Sequence, residues 1–155
     1  MYALMLIAHS LLRWIVLIQG VAATLRGCAG WLGGSPWRDA DDRAGLLLVI
    51  SLDLQLLVGL SLYLFLSPVT VEAFRDMALA MRTPALRYWT VEHISMMIIA
   101  VALITFGYSL SKKGKTDEAK YKRAAIFFGL ALIVIFIAIP WPWSAVARGW
   151  MPGAQ

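Results

Sequence analysis

The chain divides into four long runs of apolar residues separated by short polar stretches. The runs cover about 3–25, 45–66, 88–108 and 124–140. Each is near the roughly 20 residues that cross a bilayer as a helix. None alternates with the period of two that a half-buried strand or a transmembrane barrel requires. Ser67-Pro68 closes the second run, and Pro84 precedes the third. The predicted fold is therefore all-α: one domain, an integral membrane four-helix up-down bundle. Between the second and third runs, 67–87 contains "VEAFRDMALAMR". Its apolar spacing predicts a short amphipathic helix lying on the membrane surface.

The polar stretches orient the bundle. Positions 26–44 hold Arg26, Arg38 and Arg43, and 111–123 hold Lys112, Lys113, Lys115, Lys120, Lys122 and Arg123. The other side carries Arg75, Arg82, Arg87 and Arg148. Basic loops stay cytoplasmic, so both termini are expected on the outer side. The tail "WPWSAVARGWMPGAQ" carries Trp141, Trp143 and Trp150, which suits a segment resting at the lipid interface.

Composition agrees with this reading. Of 155 residues, 61% are hydrophobic and 15% charged, and the mean hydropathy is +0.74. Soluble domains carry about 25% charge. The net charge of +5 would suggest nucleic acid in a soluble protein. Here the cations lie between apolar runs, so they set topology and no nucleic-acid partner is expected. The single Cys28 excludes an internal disulfide and a thiolate metal cluster. "MYALMLIA" has no basic stretch before it and is not expected to be a cleaved signal. "WLGGSP" follows no strand and is a turn, not a phosphate cradle. No Cys-x-x-Cys-His occurs, so covalent haem attachment is excluded.

Polar residues inside the runs carry the candidate chemistry. A charge at the centre of the hydrocarbon costs at least about 2.5–3.5 kcal/mol, so such residues usually face the interior. His9, Arg13, Asp53, Glu92 and His93 qualify. At about 1.5 Å per residue, His9 lies roughly 9 Å and His93 roughly 8 Å from the same end. The first and third runs point the same way, so the chain's two histidines share one depth. In an up-down bundle these helices are diagonal across the core. Two imidazoles reaching inward from them can ligate one haem iron from opposite faces.

The helix faces are compatible with that arrangement. His9, Arg13, Gly20, Thr24 and Gly27 form one stripe, and Trp89, His93, Met96, Met97 and Ala100 another. Gly20 and Ala100 would leave room for a ring, with Trp89 and the methionines as walls. A metal or proton site and plain interhelical polar contacts are the competing readings. Arg13 and Asp53 fall near one level, and the favoured reading pairs them. Alternatively Arg13 reaches a haem propionate, and Asp53 serves proton movement. Arg87 is a second propionate candidate or an ordinary interface arginine. Glu92 points about 100° from His93; it suits a supporting contact to a histidine, a quinone headgroup, a proton, or water at the interface. Gln55 faces away from Asp53 toward another helix, and Tyr63 and Tyr88 read as belt residues.

The stretches "HSLLRW", "DLQLLVGLSLY", "LRYWTVEHISMM" and "IPWPW" resemble a group of small four-helix bacterial membrane proteins commonly labelled cytochrome b. The resemblance covers most of the chain, from about Ala8 to Trp143. It implies a four-helix membrane fold in the bacterial inner membrane, with His9 and His93 as ligands of a non-covalent haem b. Larger cytochromes b carry two histidines per ligating helix; one per helix permits one haem at most. The leading expectation is an electron carrier that exchanges electrons with a quinone or a periplasmic redox protein, and not a catalyst of its own reaction. The alternatives are a haem-free accessory subunit of a larger membrane complex, and a small proton-conducting module.

Overall fold

The computed structural model describes residues 1–149; Trp150, a predicted interface residue, lies outside them. Four helices are long and apolar enough to cross a membrane: Tyr2–Gly33, Asp39–Leu66, Pro84–Lys112 and Asp117–Ala138. The chain is thus all-α and reads as a multi-pass membrane protein.

The helices are α1 (Tyr2–Gly33), α2 (Asp39–Ser61), α3 (Pro68–Arg75), α4 (Met77–Arg82), α5 (Pro84–Arg87), α6 (His93–Lys112) and α7 (Asp117–Ala138). A π-helical turn, Leu62–Leu66, prolongs α2, and another, Tyr88–Glu92, joins α5 to α6. The ends follow the sequence. Gly34 takes the left-handed conformation (φ 61°) and its N–H bonds to the Gly30 carbonyl, closing α1. Thr116 caps α7 by accepting from Ala119 N–H at 3.1 Å, with Asp117 and Glu118 in the favourable first turn. Ile139, held extended before Pro140, ends α7. The amphipathic stretch between the second and third spans is helical, but as two short pieces. Asp76 breaks it, because its carboxylate caps α4 by accepting from Leu79 N–H at 2.9 Å.

α1 packs on α2 and α7, and α6 packs on α7 and α2, which leaves α1 and α6 diagonal. Val16, Leu48, Leu52, Ile104, Phe128 and Ile135 fill the centre. Large aliphatic side chains such as Ile18, Leu57 and Ile137 stay exposed on the outside, where lipid is their natural solvent. α1 and α7 approach closely because Gly27 has no side chain: a Cβ there would sit 2.9 Å from the Ala125 backbone nitrogen. The expectation that Gly20 and Ala100 make room for a ring fails for this reason. Gly20 lies against Leu132 and Ala100 is in the packed core.

At the Lys-rich end, buried Asp41 ties three segments together. It accepts from Tyr121 Oη at 2.7 Å, from Arg26 at 2.6 and 3.0 Å, and from Arg38 N–H at 2.9 Å. Arg26 is half exposed, so solvent screens its share. The buried hydroxyl and amide carry most of the effect. Asp41→Ala is expected to destabilise the fold by about 2–4 kcal/mol, read as lowered thermal stability in detergent, with Arg26→Ala costing clearly less.

Candidate functional site

At the opposite end, the one that holds Met1, the bundle is open inside. A cavity of about 680 Å³ lies between the helices, lined by His9, Arg13, Gln55, Trp89, His93 and Arg148 among others. A second space of about 100 Å³ adjoins it toward α2, Tyr63 and Val101. Both histidines and Gln55 line both spaces, so the histidine pair stands between them. Pockets of 300–1,000 Å³ are typical of small-molecule and cofactor sites.

The local chain explains how His93 is held. Pro140 ends α7, and the carbonyl of Ala138 has no helical donor because residue 142, four positions on, is also a proline. That oxygen accepts from His93 Nδ1 at 2.9 Å and from Tyr88 Oη at 2.7 Å. A carbonyl only accepts, so Nδ1 of His93 carries the proton. Its Nε2 is then a lone-pair nitrogen, the form that a metal takes, oriented by a backbone carbonyl behind it. The π turn before His93 is braced in the same way: Tyr63 Oη donates to the Thr90 carbonyl at 2.7 Å. Such turns interrupt α-helices preferentially at functional sites, and here two of them flank the cavity. Tyr63 and Tyr88, predicted as belt residues, are cross-helix props instead.

His9 is held from α2. Gln55 Nε2 donates to the His9 carbonyl at 3.0 Å and lies 3.2 Å from His9 Nε2. His9 Nδ1 is buried without a hydrogen-bond partner. Gly59 makes the space for this ring, since a Cβ there would sit 3.0 Å from His9 Cε1. The two imidazole centroids are 6.4 Å apart with planes at 69°. An imidazole nitrogen binds a first-row metal such as zinc at about 2.0–2.1 Å, and the ring centre lies about 1.1 Å further, so one ion midway between two opposed rings separates their centres by about 6.2–6.4 Å. Separation and cavity volume fit a haem held by two histidines, with Nε2 the free lone-pair nitrogen of His93. On His9 the Gln55 amide donates to Nε2, so the partnerless Nδ1 carries the proton and ligation there would take the other tautomer. Among the described residues, no group of three or more His, Cys, Asp or Glu side chains converges to hold a bare metal ion.

The remaining predicted residues divide. Arg13 lines the large cavity and lies 5.4 Å from the Trp14 ring. Arg87 does not line the cavity. It forms an ion pair with Glu92 at 2.7 Å, both about two-fifths exposed, so Glu92 props neither histidine; Ala138 and Gln55 do. Arg13 and Asp53 do not pair. The contacts of Arg26 with Asp41 and of His9 with Gln55 put them at one level, as expected, but Asp53 is exposed on the outer face of α2. Sequence reasoning missed Arg148, which lines both spaces and sits 5.0 Å over the Trp89 ring. It lies on the irregular segment after Pro140, where helical periodicity gives no signal.

Fold and site define a four-helix multi-pass membrane protein with a histidine-lined cavity at one end. Comparison with family models, curated proteins and solved structures finds no match to the chain in any of the three.

Proposed function

We propose that this chain is a b-type haem-binding electron carrier of the bacterial inner membrane, holding one haem between α1 and α6. The observation that carries the reading is the histidine pair: two imidazoles on diagonal helices, 6.4 Å between centroids, inside a cavity of about 680 Å³. The resemblance of "HSLLRW" and "LRYWTVEHISMM" to small cytochrome-b-labelled proteins supports it. His9 and His93 are the ligands. Arg13 and Arg148 are the cations at the cavity that suit propionates, because a planar guanidinium matches a carboxylate. When bound, haem supplies one-electron transfer between a quinone or periplasmic redox protein and a further partner. The chain's own residues hold the imidazoles in register, exclude water with Leu52 and Ile135, and place cations at the rim. The Lys and Arg bias puts the Lys-rich end in the cytoplasm and both termini in the periplasm.

A second reading has one observation in its favour. Gln55 already gives His9 a polar partner on the neighbouring helix, which is what a haem-free accessory subunit of a larger complex would need. Reduced-minus-oxidised absorption spectra of protein purified in mild detergent, made with haem available, decide between them. Sharp visible bands on reduction are the expected result. A flat spectrum overturns the haem reading.

A further inference from the structure

The redox reading makes no use of Asp53. Among the described residues it is the ionisable side chain exposed at mid-length of a long apolar helix. It stands fourteen residues from Asp39 and thirteen from Leu66 in the Asp39–Leu66 span, which puts it about 20 Å from either end. At that depth an aspartate is too short to reach the interface.

Its neighbours form a pattern. Leu46, Ile50, Asp53 and Leu57 are spaced by four, three and four residues, the spacing of a helix-packing seam. Leu46, Ile50 and Leu57 are 42%, 46% and 60% exposed. Leu47 and Leu54 flank them, also exposed. The inward face of the same helix is already filled by Leu48, Leu52 and Gln55. Lipid alone satisfies the leucines and isoleucine but not the carboxylate. One polar residue in the middle of an apolar seam is the device that selects a partner and fixes register, and polar side chains join helices within membranes.

We propose that this outward face of α2 docks a transmembrane helix of a different protein that carries a lysine, arginine or histidine at mid-depth. The charge complementarity selects that occupant over a second copy of this chain. Two copies related by a twofold axis along the membrane normal meet by the same patch, so Asp53 would face Asp53, and like charges at close range oppose each other. The proposal is independent of whether haem is bound.

The test uses the full chain in lipid vesicles and three synthetic leucine-rich spanning peptides, with a central lysine, leucine or glutamate, followed by energy transfer. The wild type should associate with the lysine peptide at least about tenfold more tightly than with the leucine peptide, a difference of about 1.4 kcal/mol. Asp53→Leu should abolish that preference, and Asp53→Asn should reduce it. Because Asp53 is outside the core, both variants should keep the wild-type helical content, and Leu57→Ala, on the same seam, should weaken the lysine peptide without removing its preference. Equal binding of lysine and leucine peptides to the wild type, or an unchanged preference in Asp53→Leu, overturns the proposal. So does Asp53-dependent self-association, which would make a second copy the occupant.

Discussion

His93→Ala is expected to lose the sharp reduced-minus-oxidised bands and to lower haem affinity at least about 100-fold, since even removing a supporting contact to a metal-bound histidine typically costs 10–100-fold. The expectation rests on the separate anchoring of the two rings. His93 is fixed by the Ala138 carbonyl on α7 and His9 by Gln55 on α2. Removing either ring would take away one of the two ligands proposed for the haem, and no third His, Cys, Asp or Glu among the described residues converges to replace it. His9→Ala should therefore match His93→Ala in size. Imidazole added to the His93→Ala protein should restore part of the spectrum, because the space left behind is the size of the ring removed. If both histidines only glue helices, the variants would shift thermal stability by about 1 kcal/mol for a lost hydrogen bond, and bands present in the wild type would survive.

The depth of the histidines was readable from the sequence because a helix advances a fixed 1.5 Å per residue. The same arithmetic placed Arg13 beside Asp53 correctly in height but not in direction. Asp53 is two residues from Gln55, about 200° around the helix, and Gln55 faces inward. Only one of the two can do so, and single-sequence periodicity does not say which when both faces are leucine-rich. The stripe Trp89, His93, Met97 was legible and lines the cavity. The props behind it were not. The freed Ala138 carbonyl depends on where Pro140 stops α7 in space, and the π turn at Tyr88–Glu92 leaves no residue signature. Arg148 entered only as one of the outer-side cations, since nothing in a coil segment predicts that it folds back over Trp89. Glycines were misread for a related reason. A small residue in a membrane helix marks close packing as often as empty space, and Gly20 and Gly27 pack closely.

Gly59 is the glycine that does make space at the site, and its replacement separates site loss from unfolding. A Cβ at Gly59 would sit 3.0 Å from His9 Cε1 and 3.5 Å from Nδ1. Gly59→Ala asks the ring to yield by a few tenths of an ångström, and a partial loss of haem affinity, about tenfold, is expected from misalignment at a ligand. Gly59→Leu puts a branched side chain where the imidazole stands. The ring must then leave its position between α2 and His93, and the spectrum should vanish. Stability should move the other way. Gly59 is inside α2, where glycine costs about 1 kcal/mol relative to alanine or leucine, so the helix itself gains. Even if crowding His9 costs part of that gain, the protein should remain folded, with helical content unchanged by circular dichroism and little change in melting temperature. A variant that keeps its helices and loses only the visible bands cannot be explained by misfolding. Full bands in Gly59→Leu would mean that His9 is not a ligand, and the pairing of His9 with His93 would then be no more than two polar residues meeting at one depth.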